Sequence, residues 1–171
     1  MEIVPSRAAE PAPSPGEDPA GYARRLAQLK ALDVAEGLPG RLVLGADTVV
    51  ALGGEVLGKP RDAAHALEML TRLRGAEHAV HTGVCIVFPD KSAQDFVATT
   101  RVWFWEAPME MVAAYAASEE VLDKAGAYAI QGNGAFLVKE IAGSYTNVVG
   151  LPLARVLEVL VEWGVEAPSP G

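Results

Sequence analysis

Two long runs of β-forming residues stand next to one another near the middle of the chain, and they constrain the fold more than any other feature. The first covers His78–Phe88 and the second covers Ala98–Trp105. The segment between them contains Pro89, Asp90 and Lys91, which is typical of a turn. We therefore expect the two runs to pair as an antiparallel hairpin.

Helical and strand-like segments alternate on both sides of this hairpin. Because they alternate while the middle is antiparallel, the pattern predicts an α/β fold with a mixed, partly antiparallel central sheet flanked by helices. The other predicted elements are a helix from Pro19 to about Glu36 with Asp18 as its N-cap, strands at Arg41–Ala46, Thr48–Leu52 and Glu55–Leu57, a helix capped by Asp62 that ends near Leu73, a helix from Pro108 to about Ser118, a strand at Gly134–Glu140 with a short return at Ser144–Val149, and a helix from Pro152 to about Trp163.

Apolar residues at helical spacing predict which side of each helix faces the core. The predicted inward residues are Tyr22, Leu26 and Leu29 in the first helix, Ala66, Leu67 and Leu70 in the second, and Leu153, Val156, Leu157 and Leu160 in the last. The length of 171 residues fits one domain over 1–171, and we expect 164–171 to be a frayed tail.

Composition excludes several functional classes. A net charge of -8 argues against sequence-independent binding of nucleic acid, which needs a basic face. No apolar run reaches the roughly 18 residues of a membrane span, so we expect no membrane segment. Cys85 is the only cysteine and lies in an apolar run, which indicates a buried side chain and is compatible with the reducing cytoplasm.

The segment Asp123–Leu153 is apolar enough for a core, yet it contains five glycines together with Gln131, Asn133 and Asn147. Glycine in a core segment costs conformational entropy and removes a side chain that could pack. We therefore expect the backbone of this segment to approach another group closely.

Two charged residues are candidates for chemistry on local sequence alone. Asp47 follows the apolar run LVLGA, where it is either a metal ligand or general base at a strand end, or a carboxylate that caps a turn. Lys59 lies between Gly58 and Pro60, where it either meets a phosphate or is a solvated turn lysine.

Other polar residues carry weaker signals. Glu10 lies in a proline-rich loop, which by itself indicates a solvated acid. His78 and His81 are three residues apart in a strand, so they face opposite sides and do not form a metal site. Glu119 and Glu120 are typical of a solvated helix end, although an acid there could also orient a ligand.

Four segments taken together resemble the Maf family of nucleoside-triphosphate pyrophosphatases. They are LGADTVV around Asp47, LGKPRD around Lys59, HAVHTGV from His78 to Val84, and the whole of Asp123–Leu153. Their order and spacing make the resemblance specific, because no single segment would be sufficient.

The resemblance also extends upstream and covers the chain from about Glu2 to Trp163. The segments EIVPSRAAE and GYARRLAQLKA are similar to the family and place Glu10 and Lys30 on family positions. It implies a fold like that of the ITP pyrophosphatases, with two lobes around a cleft. It also implies hydrolysis of a nucleoside triphosphate to the monophosphate and pyrophosphate with a divalent metal, Mg²⁺ or Mn²⁺.

The family positions imply a role for each candidate residue. Asp47 would be the catalytic carboxylate and would hold the metal together with Glu10, while Lys30 and Lys59 would meet phosphate oxygens. Gln131, in the sequence AYAIQG, is similar to the dTTP/UTP pyrophosphatase subfamily and would read a pyrimidine edge. Thr48 and Gly132 are predicted as further substrate contacts.

The start of the sequence departs from the family pattern. Family members usually begin with a strand and a Ser-x-Ser-Pro-Arg-Arg loop that contacts phosphate, whereas this sequence begins with what normally follows. We expect that strand and loop to be absent from the chain. Either the gene start was assigned too far downstream, or the protein is a natural variant, or the sequence was trimmed, and we favour the first interpretation. If the segment is truly absent from the protein, we expect weak or lost activity.

Three functions follow as hypotheses. The leading one is a pyrimidine-type nucleoside-triphosphate pyrophosphatase that is cytoplasmic, homodimeric and without nucleic-acid or membrane partners. A non-catalytic nucleotide-binding regulator of septum formation and cell division is the alternative. A nucleotidyltransferase that uses the same charged cleft is the third, and it would need an acceptor.

Overall fold

The computed structural model describes residues 2–165, in which a five-stranded sheet has helices on both faces. The strand order is β2-β1-β3-β4-β5, and each described pairing is antiparallel. The predicted α/β class is confirmed. The elements are α1 (Pro19–Glu36), β1 (Val43–Leu52), β2 (Glu55–Leu57), α2 (Ala63–Leu73), β3 (Glu77–Val87), β4 (Ala93–Phe104), α3 (Met109–Ala116), 3₁₀ turns at Glu119–Val121, Ala125–Ala127 and Asn133–Leu137, β5 (Val138–Ala142), α4 (Tyr145–Val149) and α5 (Leu153–Glu162).

The predicted hairpin forms the centre of the sheet as β3 and β4. Its register runs from Glu77 opposite Trp103 to Val87 opposite Ala93. The second strand begins at Ala93 and not at Ala98, because the ladder continues through polar residues close to the turn. Asp95 can lie in that part of the strand since its carboxylate accepts hydrogen bonds from Arg24 and Gln28 of α1.

The first two helices begin where the sequence predicts. Asp18 accepts a hydrogen bond from the backbone N–H of Gly21 at 3.1 Å, and Asp62 accepts one from that of His65 at 2.8 Å. Tyr22 is buried as predicted, but Leu29 is 37% exposed. The segment from 2 to 17, which precedes α1, contains no regular helix or strand. Within residues 2–165, no helix is both long enough and apolar enough to cross a bilayer.

Helix α1 packs unusually close to β1 and β3, on the face of the sheet that carries Cys85. A Cβ atom on Gly83 would lie 2.3 Å from the carbonyl oxygen of Ala23, and one on Gly45 would lie 2.8 Å from that of Ala27. Both contacts are with helix backbone, which cannot rotate away. Glycine at these two strand positions is therefore what lets the helix rest against the sheet.

The opposite face of the sheet carries the larger apolar core. Helices α2 and α3 and the segment 121–137 cover one part of it, and α5 covers another. The largest fully buried apolar side chains on this side are Leu70, Leu73, Val80, Val84, Ile86, Val102, Val112, Val121, Leu137 and Val159.

A buried polar network holds α4 against this face. Asn147 is fully buried, and its side-chain amide donates to the carbonyl oxygen of Val80 at 3.1 Å and to Oγ1 of Thr100 at 2.9 Å. The Thr82 hydroxyl donates to the backbone carbonyl of Asn147 at 3.1 Å. These bonds place Asn147 in a structural role, because buried polar groups require partners.

Two predicted strands prove to be one. Arg41–Ala46 and Thr48–Leu52 were expected as separate strands with Asp47 at the end of the first, whereas β1 runs without interruption from Val43 to Leu52. The reason is the neighbouring strand, since Asp47 pairs with Gly83 in an unbroken ladder. Asp47 therefore lies in the middle of a strand and does not cap a turn.

The prediction for the segment after α3 was partly wrong. The first residues of the predicted strand Gly134–Glu140 form a 3₁₀ turn, Asn133–Leu137, and β5 begins only at Val138. The expected return at Ser144–Val149 is helix α4, whose Ser144 hydroxyl accepts a hydrogen bond from the backbone N–H of Asn147 at 3.2 Å. The buried amide of Asn147 favours this helical turn over a strand.

The last helix has the predicted extent, and its inward face agrees with the prediction at Val156 and Leu160 only. Val156 and Val159 are buried, whereas Leu153 and Leu157, expected inward, are 46% and 48% exposed. Val156 and Val159 pack on the cluster that contains Val84, Ile86 and Phe88. Pro152 occupies the N-cap position and not the first helical position. Of the predicted frayed tail 164–171, residues 166–171 lie outside the described residues.

A glycine pair tests the close packing of α1. We expect Gly83→Ala to lower the free energy of unfolding by about 1–3 kcal/mol or more, because its new methyl group meets helix backbone. Gly21→Ala, within α1 and with no crowding contact, should be neutral or stabilise by up to about 1 kcal/mol. Urea denaturation measures both, and equal stabilities for the two variants would contradict this account of the packing.

Candidate active site

Three charged residues from three separate segments meet on the α1 face of the sheet. The ammonium of Lys30, on α1, lies 2.5 Å from Oδ1 of Asp47 in the middle of β1. The same ammonium lies 2.9 Å from Oε1 of Glu10, in the extended segment before α1. The structure therefore brings together three of the predicted site residues and makes Lys30 the bridge between two carboxylates.

The extended segment is held along α1, which explains how Glu10 reaches the cluster. Asp33, near the end of α1, accepts hydrogen bonds from the Ser6 hydroxyl at 2.9 Å and from the Arg7 backbone N–H at 2.7 Å. Further along, Arg25 donates to Glu17 at 2.8 Å. These anchors lie on both sides of Glu10 and fix the path of the chain past Lys30.

Burial determines the protonation behaviour of Asp47. Its side chain is 11% exposed, and this desolvation raises the pKa of the carboxyl group above its usual value. Lys30 and, more weakly, Lys59 oppose the rise, whereas Glu10 adds to it. Asp47 is thus more basic than a surface aspartate, which is a property of a general base.

At Lys30, neighbouring carboxylates and not burial decide the direction in which the pKa moves. Burial by itself would lower the pKa of its ammonium group, but the hydrogen bonds and charges of Asp47 and Glu10 outweigh it and raise the pKa. Lys30 therefore stays positively charged at neutral pH, within an otherwise acidic protein.

The carboxylates of Glu10 and Asp47 fit a divalent cation of the Mg²⁺ type. They converge on one cationic group, the Lys30 ammonium, and carboxylate oxygens are the ligands that such hard cations prefer. Within residues 2–165, no group of three or more His, Cys, Asp or Glu side chains could hold a metal. Two carboxylates are nevertheless enough for Mg²⁺, which usually keeps several waters and shares substrate phosphates.

Lys59 lies in the turn that follows β2 and is exposed, as a phosphate-binding residue would be. It is close enough to Asp47 and Asp123 for its charge to act on both carboxylates. The turn is tied to the glycine-rich segment, because the backbone N–H of Gly126 donates to the carbonyl oxygen of Gly58 at 3.1 Å. Lys59 thus belongs to the same region as the three-residue cluster without touching it.

Thr48 lies on the other face of the sheet from Asp47, because neighbouring residues in a strand point to opposite sides. Its hydroxyl is 2.8 Å from that of Thr82 and donates to the carbonyl oxygen of Gly150 at 3.4 Å. The structure therefore does not bring the Thr48 side chain to the charged cluster.

Gln131 lies in an exposed turn of the glycine-rich segment, with Gly132 partly buried beside it. The hydrogen bonds from this loop to side chains come from the backbone N–H groups of Ala129 and Asn133, and the Gln131 side chain makes none within the described residues. The groups that approach Gly132 and Gly134 are side chains of this protein. A Cβ atom on Gly132 would lie 1.8 Å from Oε1 of Glu120, and one on Gly134 would lie 2.4 Å from the Tyr115 hydroxyl.

Tyr128 holds the segment before Gln131 against the sheet. Tyr128 is buried, and its hydroxyl is 2.9 Å from Nε2 of His78 on β3. Phe104 meets both rings edge to face, with centroid distances of 4.8 Å to each. His81, on the opposite face of β3, is partly exposed, so the predicted separation of the two histidines is confirmed.

Two shallow depressions lie away from the predicted site. One of about 270 Å³ is lined by residues that include Asp18, Gly53 and His81, and one of about 440 Å³ by residues that include Leu32, Arg41 and Phe88. Neither is lined by Asp47 or Lys30.

The sequence did not identify Tyr115 as a functional candidate. For Glu120 it left two interpretations open, a solvated helix end or an acid that orients a ligand. Nothing in the local pattern marks Tyr115, which reads as one apolar residue of α3. A usable signal was the pair of glycines at 132 and 134, because each leaves room for a group that the sequence does not identify.

Comparison with known proteins agrees with the motifs. The family described as Maf-like protein matches residues 1–163. A protein of Nitratidesulfovibrio vulgaris named dTTP/UTP pyrophosphatase is 52% identical over 164 residues, covering 96% of this chain and 78% of the relative. A protein of the same name from Carboxydothermus hydrogenoformans is 46% identical over 165 residues, covering 96% and 88%. Another, from Myxococcus xanthus, is 50% identical over 156 residues, covering 91% and 79%.

The His78 environment predicts a pH dependence of stability. Burial lowers the pKa of His78 to about 4, below the value near 6.5 in an unfolded chain, so the unfolded state takes up the proton first as pH falls. Stability should therefore fall as pH decreases from about 6.5 to about 4, by roughly 2–3 kcal/mol from this residue.

Urea denaturation at pH 7 and at pH 4.5 measures this difference. We expect His78→Gln to lose clearly less stability between the two pH values than the wild type does, while His65→Gln, which changes a histidine outside the core, behaves like the wild type. An equal loss for wild type and His78→Gln would contradict the assignment.

Proposed function

This chain belongs to the Maf family, and we propose that it hydrolyses nucleoside triphosphates to the monophosphate and pyrophosphate, with dTTP and UTP as its preferred substrates. The observation that carries the proposal is the Glu10–Lys30–Asp47 cluster. It combines a buried, basic carboxylate with a cation, on a chain that is about half identical to proteins named dTTP/UTP pyrophosphatase.

The reaction places specific demands on these residues. Water attacks the α-phosphorus and pyrophosphate leaves, so a proton must be removed from water and negative charge accumulates on phosphate oxygens. Asp47 accepts the proton, since burial makes its carboxylate more basic than usual. Lys30 and Lys59 bind phosphate oxygens and offset the charge that develops there.

Glu10 and Asp47 are the residues that would hold a divalent cation, Mg²⁺ or Mn²⁺. When bound, such an ion neutralises phosphate charge and makes a coordinated water more acidic. The net charge of -8 supports this part of the proposal, because the protein as a whole repels a triphosphate. Lys30 then provides positive charge where the two carboxylates would otherwise repel the substrate.

Base selection is assigned to the exposed Gln131. Uracil and thymine present carbonyl acceptors on both sides of an N–H donor, and a primary amide offers a donor and an acceptor together. The free side chain of Gln131 supports this role. Thr48 and Gly132 remain predicted substrate contacts, although the Thr48 hydroxyl is engaged on the opposite face and Gly132 makes room for Glu120.

Several wider properties remain predictions. They are a homodimeric state, a cytoplasmic location and the absence of nucleic-acid partners. The alternative function, a non-catalytic regulator of septum formation, is not favoured, because the relatives are named as pyrophosphatases. The nucleotidyltransferase hypothesis is not favoured either, for the same reason.

A substrate panel tests the proposed reaction. Purified protein is incubated with UTP, dTTP, CTP, ATP and GTP in the presence of Mg²⁺ or Mn²⁺, and released pyrophosphate is quantified. We expect the highest kcat/KM with UTP and dTTP. Failure to release pyrophosphate from any of the five nucleotides would refute the proposed activity.

Conservative variants test the catalytic assignments. Asp47→Asn should lower kcat by about 10²–10⁴-fold because it removes the proton acceptor. The variant should keep its fold, because asparagine fills the same volume and Glu10 still pairs with the Lys30 ammonium at 2.9 Å. Asp90→Asn, in the β3–β4 turn, is the matched control.

Lys59→Gln should raise KM for the triphosphate about tenfold, through loss of a charged contact with phosphate. Lys91→Gln, which removes another exposed turn lysine, should leave KM unchanged. Unaltered turnover by Asp47→Asn, or equal KM values for the two lysine variants, would remove the corresponding residue from the mechanism.

A further inference from the structure

We propose that Glu120 and Tyr115 act as positioning residues that hold the loop carrying Gln131 and thereby set the choice of base. This inference rests on the proposed function, because it concerns how the same site selects its substrate. Neither residue belongs to the charged cluster, and both reach the loop from the segment that includes α3 and the 3₁₀ turn after it.

Two hydrogen bonds fix the loop on either side of Gln131. The backbone N–H of Ala129 donates to the Tyr115 hydroxyl at 3.1 Å, and the backbone N–H of Asn133 donates to Oε1 of Glu120 at 3.1 Å. The bonded residues lie two positions before and two positions after Gln131. We refer to Glu120 and Tyr115 together as the loop clamp.

Gly132 and Gly134 leave space for the two side chains of the loop clamp. A Cβ atom would lie 1.8 Å from Oε1 of Glu120 at Gly132 and 2.4 Å from the Tyr115 hydroxyl at Gly134. Real side chains do not tolerate such separations, so a Cβ at either position would displace the Glu120 carboxylate or the Tyr115 hydroxyl that accepts a hydrogen bond from the loop. The backbone of the loop and the clamp side chains therefore specify one another.

The loop clamp is supported by the buried apolar core. Tyr115 is 5% exposed, and Val112 and Val121 beside it are fully buried. The Ser118 hydroxyl donates to the backbone carbonyl of Tyr115 at 2.7 Å, and the ring of Phe136 meets the Tyr115 ring edge to face at 5.9 Å. Anchors fixed in this way can order an exposed turn, because their own rotamers are locked by packing.

The charge state of the clamp suits this role. Burial, together with the nearby carboxylate of Glu120, raises the pKa of the Tyr115 phenol, so it keeps its proton and remains neutral. Oε2 of Glu120 is buried and makes no well-formed hydrogen bond within the described residues. The Asn133 N–H donates to the other oxygen, Oε1, in a charge-assisted hydrogen bond, and removing the carboxylate would leave the loop without its second anchor.

A free turn would present the Gln131 amide in many orientations, and a base would have to order it on binding. The clamp carries out that ordering in advance, which favours the base whose edge matches the held amide. The clamp should thus act on KM and on the preference among bases, and not on the chemical step at Asp47.

Kinetics with Glu120→Ala, Glu120→Gln and Tyr115→Phe test the inference. We expect Glu120→Ala to raise KM for UTP and dTTP about tenfold and to reduce the kcat/KM preference for them over GTP by a similar factor. Glu120→Gln keeps an oxygen that can accept from Asn133 and should restore most of the preference. Tyr115→Phe should reduce it in the same direction, while Glu119→Ala, at the exposed neighbouring position, should match the wild type.

Amide hydrogen exchange provides a readout that does not depend on activity. The N–H groups of Ala129 and Asn133 should exchange faster in Glu120→Ala than in the wild type, with the β3 and β4 amides unchanged. Unchanged exchange at 129 and 133 would overturn the clamp, and so would faster exchange throughout the sheet, because the residue would then act on global stability.

The outcomes separate this inference from the function on which it rests. A wild-type protein that prefers UTP and dTTP, with a Glu120→Ala variant that is equally selective, would overturn the inference and leave the proposed function standing. A wild-type protein that releases no pyrophosphate would refute the proposed function. The role in base choice would then fall with it, whatever the exchange data show about the loop.

Discussion

The close contact between α1 and the central strands is the constraint on which the candidate site depends. Gly83 and Gly45 let the helix backbone rest directly on β3 and β1. At this separation the Lys30 side chain reaches the carboxylate of Asp47, and Asp33 on the same helix holds the extended segment that carries Glu10. A larger residue at either glycine would move the helix, and the three charges would no longer meet.

The site divides its tasks between rigid and irregular parts of the fold. The carboxylate assigned to proton transfer lies in the middle of a strand, with hydrogen-bonded neighbours on the adjacent strand, and is fixed by the sheet. The amide assigned to base reading lies in an exposed turn and depends on side chains from elsewhere for its order. Buried polar bonds at His78 and Asn147 connect the glycine-rich segment to the sheet on either side of that turn. Chemistry and selectivity can therefore respond separately to substitution.

In the proposed function, a strongly acidic chain has to accept a polyanionic substrate. The two carboxylates of the cluster would repel phosphate if they stood alone, but Lys30 lies between them and keeps its charge. Burial affects the two partners in opposite ways. Burial raises the pKa of Asp47 and so makes it a better base. Burial by itself would lower the pKa of Lys30, but the carboxylates of Asp47 and Glu10 outweigh that effect.

The sequence by itself determined the elements whose signals are local. Capping by Asp18 and Asp62, the turn between the two long β runs and the apolar periodicity all act over a few residues, and the helices and hairpin they predict are present. Family motifs likewise identified Glu10, Lys30 and Asp47 as candidates before any geometry was known.

Only the tertiary structure decided the features that depend on partners distant in sequence. Pairing with β3 made Asp47 a mid-strand residue, and buried bonds from Asn147 to β3 and β4 turned an expected return strand into α4. The glycines at 132 and 134 signalled a close approach, but not that Glu120 and Tyr115 make it. Such outcomes follow from which side chains the fold brings into contact, and local propensity carries no information about that.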